Sequence, residues 1–253
     1  MHRIPARADR GQVRMLRRVV DGYNVQYVDT GIDYLDIVRR FEAGELVAEQ
    51  SFERTANRHV HILVAGGRRY VLKYRTMRIR HIESKLSRFV FGEMFSRIMR
   101  LSNRAFSQGC DFIQRVYFVA EKYEGHFSHS IALFEYIEGT PLSEEDTIQD
   151  YLPQMLDRVA ELHEYGLAFC DPNPGNFIMT EDGLKVIDLS FRNSFRVCKA
   201  KDVVMLKENY GVHMPVSSIV DKLMVGVVDC NRVLRRWLKR RKQERLNRKA
   251  VAA

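Results

Sequence analysis

The stretch "GLAFCDPNPGNFIM", residues 166–179, decides how this chain is read. Its centre, Pro172 to Asn176, consists of residues that favour bends, and an ordinary surface turn would account for them. The flanks do not suit such a turn, because Leu167, Ala168 and Phe169 precede it and Phe177, Ile178 and Met179 follow. A polar loop clamped between apolar segments, with a carboxylate at Asp171 and a carboxamide at Asn176, has the makings of a catalytic loop. That reading requires partner groups elsewhere in the chain.

Working outward, "GLKVIDLSF" reads as a short strand, and the amphipathic "TIQDYLPQMLDRVAELHEYG" as a helix closed by Gly166. Earlier, "FIQRVYFVAEKY" and "SHSIALFEYIEG" read as strands joined near Gly125, and "HVHILVAGGRRYVLKYR" as a β-hairpin about Gly66 and Gly67. A long periodic segment predicts a helix from about residue 82 to just before Gly109, with Gly92 a break point. "GYNVQYVD" suggests a strand and "GIDYLDIVRRFEAGELV" a helix. The order is strands first and mainly helices later, an α+β pattern.

Composition is that of a globular protein, with 45% hydrophobic and 29% charged residues in 253. No apolar run approaches the roughly 20 residues of a membrane span, and the start lacks a secretion-signal pattern, so a cytosolic location is expected. Cys110, Cys170, Cys198 and Cys230 form no CxxC pair, which predicts reduced, mostly buried thiols. The histidines lack companions for a metal pattern. Charge is uneven: residues 231–249 hold ten Lys or Arg against Glu244 alone, residues 1–18 hold six Arg against Asp9, and the body between is mildly acidic. The sequence therefore divides into a basic extension (1–18), a first lobe (19–138), a second lobe (139–230) and a basic tail (231–253).

That order resembles the two-lobed protein-kinase-like fold, with an N-terminal antiparallel sheet carrying one helix and a mainly helical C-terminal lobe. The resemblance implies ATP and Mg²⁺. Lys73, on a strand after the hairpin, would neutralise nucleotide phosphates; Glu93 on the next helix would hold it, with Glu83 a competing partner. Residues 133–139, with Glu135 and Ile137, stand where a hinge backbone meets adenine. "DPNPGN" has the spacing of a catalytic Asp171 and a metal-binding Asn176, and Asp188 in "KVIDLS" is the second metal ligand. Asp202 reads as a buried helix-cap carboxylate that braces the loop, and His163 as a packing or capping residue.

Departures narrow the class. No GxGxxG loop precedes Lys73, Cys170 and Leu189 alter the protein-kinase motifs, and no APE segment follows. These absences point away from protein substrates, towards small-molecule kinases; the competing readings are a kinase for another small-molecule or protein hydroxyl and a pseudokinase scaffold at the membrane. From about Gly22 to Val212, through "GRRYVLKY", "GEMFSRIMR", "VYFVAEK", "FEYIEG" and "LAFCDPNPGNFIMTEDGLKVIDLS", the chain resembles the lipopolysaccharide core heptose(II) kinases of Gram-negative bacteria. The resemblance implies phosphorylation of an inner-core heptose hydroxyl at the inner face of the bacterial inner membrane. Asn173 departs from it, standing where His or Lys is expected. The basic tail, with Trp237 among cations, suits an anionic membrane surface or a solvated helix end; no nucleic-acid module is recognisable.

Overall fold

The computed structural model describes residues 14–78, 93–144, 148–190 and 194–251. Seven antiparallel strands form the first sheet in the order β1-β2-β6-β7-β5-β4-β3. They are β1 (Met15–Val20), β2 (Tyr23–Val28), β3 (Ala48–Thr55), β4 (Arg58–Ala65), β5 (Arg68–Arg78), β6 (Val116–Glu124) and β7 (Phe127–Glu135). A second sheet joins β8 (Thr140–Pro141), β9 (Phe177–Thr180) and β10 (Gly183–Val186) in the order β10-β9-β8. The helices among the described residues are α1 (Tyr34–Glu42), α2 (Met94–Ser107), α3 (Ile148–Glu164), α4 (Phe195–Tyr210) and α5 (Ile219–Val251).

Local chemistry explains the hairpin that carries Lys73. Gly66 and Gly67 both have positive φ, 56° and 71°, the conformation a two-residue turn needs to follow the strand twist. Its register pairs Ala65 with Arg68. The preceding hairpin pairs Thr55 with Arg58, so the stretch before Lys73 that lacks a GxGxxG motif is occupied by the end of β3, a tight turn and the start of β4. An edge strand rich in Glu, Gln and Ser lacks the apolar alternation that announces a strand. Similarly, Arg17 and Arg18, assigned to a basic extension, lie in edge strand β1, paired with Gln26 and Val25.

Among the described residues, two large apolar regions organise the body, beside a smaller cluster between α4 and α5. One lies between the sheet and α1, where Tyr34 stacks on Tyr117 with centroids 5.1 Å apart. The other is continuous from Phe95, Val119 and Phe134 through Leu142 and Val159 to Phe169, Phe177 and Val186. This second cluster ties the large sheet to the segments around residues 166–190. Gly139, just after β7, has φ 150°, and a Cβ there would run into the carbonyl oxygen of Met179. The passage from the first sheet to the second therefore requires glycine.

Helix α2 begins at Met94 with Glu93 as its N-cap; the part of the expected helix from 82 to 92, including Gly92 and Glu83, lies outside the described residues. The helix start is capped from across the sheet. Glu121 of β6 accepts from the backbone N–H groups of Phe95 (3.1 Å) and Ser96 (3.3 Å) and from the Ser96 hydroxyl. Burial pushes its carboxyl up to about 7, with the Ser96 hydroxyl opposing and Glu93 adding to the rise. A raised carboxylate pKa favours the fold at low pH, and the benefit fades as pH rises from about 4.5 to about 7. Glu121→Gln is expected to remove roughly 3 kcal/mol of this pH dependence. Urea midpoints at pH 5 and pH 8 check it: the wild type should lose more stability than the variant over that interval.

Helix α5 is uninterrupted across the expected boundary at residue 231. It docks on α4 through Val228 against Ala200 and Val204, Asp221 with Lys199 (2.9 Å), and Glu208 with Arg232 (2.6 Å). Leu223, Val227, Leu234 and Trp237 are exposed.

Candidate active site

The loop at residues 166–176 is anchored before it becomes polar. Gly166 ends the α3 region with φ 73°, and Leu167, Ala168 and Phe169 are buried in the core. Asp202, in the middle of α4, accepts from the backbone N–H of Phe169 (3.0 Å) and makes a 3.0 Å bond to His163 Nε2. Both partners are buried; burial pushes the Asp202 carboxyl up, and the His163 bond opposes it. Asp202 braces the loop, as its sequence position suggested, from a helix interior and not from a cap.

Past this anchor the chain turns sharply. Cys170 has φ 64°, unusual for a side chain with a Cβ, and delivers Asp171 to the surface. The Asp171 carbonyl accepts from Asn173 N–H (2.9 Å) and Asn176 Nδ2 (3.0 Å). The Asn176 amide nitrogen thus donates within the loop, and the carboxamide oxygen is the acceptor end of the group. A 3.0 Å bond from Asn176 N–H to the Asn173 carbonyl closes the short 3₁₀ turn Pro174–Asn176.

Asp188 is tied to this loop through its neighbour, since Ile187 N–H donates to the Asn176 carbonyl at 2.9 Å. Asp188 itself has φ 56°, and its Oδ1 lies 2.8 Å from Lys73 Nζ. Lys73 is paired across the sheet with Ala132, and its ammonium stands 4.6 Å from the Phe134 ring centroid. Lys73, Asp171, Asn176 and Asp188 line one cleft of about 590 Å³. One cation, two carboxylates and a carboxamide therefore converge from three separate parts of the chain. The oxygen donors of Asn176 and Asp188 suit a hard cation such as Mg²⁺, which takes few protein ligands and keeps waters; no group of three or more His, Cys, Asp or Glu forms a closed metal cage among the described residues.

Other sequence expectations meet a different arrangement. Lys73 pairs with Asp188 and not with Glu93. Glu93 stands on the extended approach to α2, where its carboxylate takes a 3.5 Å bond from the Ser128 hydroxyl, and it lines a separate depression beside Glu121. At the expected hinge, Glu135 N–H already bonds the Arg115 carbonyl (3.0 Å), and the Glu135 carbonyl accepts from Gln114 Nε2 (2.7 Å). Ile137 follows in the irregular segment between β7 and β8. Cys170 and Cys198, expected as thiols, are joined in a disulfide with Cα atoms 4.6 Å apart, because α4 packs against the loop; Cys110 is buried and Cys230 exposed. Gln114 and Lys201 also line the cleft, and neither carried any sequence signal.

Comparison with known proteins supplies the family. The fold and site define an α+β protein whose cleft sets a lysine–aspartate pair against an Asp–Asn loop. Residues 15–244 match the family described as lipopolysaccharide core biosynthesis protein (WaaY), and the chain belongs to that family. Among its relatives, the lipopolysaccharide core heptose(II) kinase WaaY of Escherichia coli strain K12 is 24% identical over 194 residues, 76% of this chain and 84% of the relative. A second Escherichia coli protein of the same name is 28% identical over 193 residues, with the same shares of both chains.

Proposed function

We propose that this protein is a kinase of protein-kinase-like, two-lobed architecture that transfers the terminal phosphoryl group of ATP to a hydroxyl of a heptose, heptose II, in the lipopolysaccharide inner core. The observation that carries the proposal is the convergence of Lys73, Asp171, Asn176 and Asp188 on one cleft. The names of the relatives supply the acceptor class.

In this reading Asp171 orients the acceptor hydroxyl and takes its proton as the oxygen attacks the terminal phosphorus. The bond from that phosphorus to its bridging oxygen breaks, and ADP leaves with the bridging oxygen. Lys73 neutralises charge on the nucleotide phosphates. Mg²⁺, held by Asp188 and the Asn176 carboxamide oxygen, would add further charge neutralisation at the phosphates. The phosphate content of core oligosaccharide from cells with and without the protein is the test. A phosphate on heptose that depends on the protein supports the reading, whereas identical phosphate content removes the heptose assignment.

The same proposal puts the protein in the cytoplasm, peripheral to the inner face of the bacterial inner membrane. Exposed Leu234, Trp237 and Leu238 on α5, with Arg235, Lys239 and Arg240 beside them, support attraction to an anionic leaflet. Charge reversal at Arg235, Lys239 and Arg240 is expected to cut sedimentation with phosphatidylglycerol vesicles by tenfold or more, on the order of 1 kcal/mol per cation. Undiminished sedimentation would exclude these residues as the anchor.

A further inference from the structure

Resting on the kinase reading, the geometry points to Gln114 as the residue that reads the nucleotide base, selecting a purine with a 6-amino group. Gln114 sits in the segment between α2 and β6, and its backbone N–H donates to the Val186 carbonyl at 2.8 Å, two residues before Asp188. The residue is only 7% exposed. Nε2 donates to the Glu135 carbonyl at 2.7 Å, which sets the orientation of the amide. The other end of the amide, Oε1, is buried and has no hydrogen-bond partner among the described residues, although the residue lines the cleft that holds Lys73 and Asp188.

A buried acceptor without a donor carries a free-energy cost that a ligand donor would remove. The ligand that fits is fixed by the surroundings. Val71, Phe134 and Ile187 supply apolar walls in the same cleft, suited to the faces of a flat base. Along β7, Glu135 is three residues from Ala132, the cross-strand partner of Lys73, or about 10 Å at the usual strand rise. This spacing separates a base edge at Gln114 from phosphates at Lys73. Adenine presents a 6-amino donor towards such an edge, and Gln114 Oε1 accepts one of its hydrogens. Guanine presents a 6-oxo acceptor there, which would face another acceptor.

The Gln114 site is also held in advance. Arg115 N–H donates to the Glu135 carboxylate at 3.2 Å and Glu135 N–H returns to the Arg115 carbonyl at 3.0 Å, so the hinge and the Gln114 segment move as one unit. The Glu135 backbone, expected with Ile137 to meet the base, is thus already engaged by Gln114 and Arg115.

Calorimetric titration with ATP, GTP and purine riboside triphosphate, which lacks the 6-amino group, tests the inference in the presence of Mg²⁺. The wild type is expected to bind ATP about tenfold or more tighter than either other nucleotide, since a site built to accept a hydrogen bond rejects ligands without the donor. Gln114→Leu is expected to weaken ATP about tenfold and to leave purine riboside triphosphate unchanged, so that the preference disappears. Equal wild-type affinity for ATP and purine riboside triphosphate overturns the assignment without recourse to any variant, as does a preference that survives in Gln114→Leu. Binding of none of the three nucleotides would instead overturn the kinase reading and the base assignment with it.

Discussion

Asp171→Ala is expected to lower the rate of phosphoryl transfer by about 10²–10⁴-fold, the range contributed by a positioned general base. The side chain is exposed, and the bonds that close the loop use the Asp171 backbone carbonyl, which alanine retains. Folding and ATP affinity should therefore change little. The measurement pairs the initial rate of heptose phosphorylation with the thermal shift caused by ATP and Mg²⁺. A variant that binds nucleotide normally and transfers phosphate at the wild-type rate would show that Asp171 is only a turn residue. A variant that has also lost nucleotide binding would move the role of Asp171 from the acceptor to the nucleotide.

Asp202→Ala is expected to have its main effect on the fold, a loss of about 3–5 kcal/mol and a fall in melting temperature on the order of 10 °C. Its carboxylate is fully buried and meets two donors that would be left behind, the Phe169 N–H and His163 Nε2. Removing one member of a buried polar cluster costs more than the cluster contributes, because the remaining groups cannot recover water. Asp202→Asn keeps an acceptor for Phe169 and should retain part of the stability. Equal melting temperatures for wild type and Asp202→Ala would show that the core around Phe169 and Phe177 holds the loop unaided. The two substitutions thus separate chemistry from support within one loop: Asp171 should affect turnover and Asp202 stability.

The strongly patterned parts of the fold were legible because local chemistry and tertiary demand agree there. Gly66 and Gly67 announced the hairpin that carries Lys73, and the apolar spacing of Leu152, Met155 and Val159 announced α3. Edge strands β1 and β3 were not legible. Half of each faces solvent and their charged residues hide the alternation, so only pairing with β2 and β4 reveals them.

For the site, residue type and interval identified Lys73, Asp171, Asn176 and Asp188, which meet in one cleft. A linear pattern could not choose the partner of Lys73. Glu93 has the right interval, but the turn of chain into α2 takes it towards Ser128, while β10 brings Asp188 to 2.8 Å from the ammonium. The disulfide between Cys170 and Cys198 was hidden for the same reason, since contact depends on where α4 lies against the loop.

The sequence by itself determined the α+β order of elements, the polar loop between apolar flanks, and the residue types available for chemistry. These follow from periodicity, turn propensity and spacing, which act over a few residues. Tertiary structure alone decided the Lys73–Asp188 pair, the Cys170–Cys198 disulfide and the position of Gln114 against Glu135. Those depend on distances between atoms far apart in the chain, set by the shared core from Phe95 to Val186.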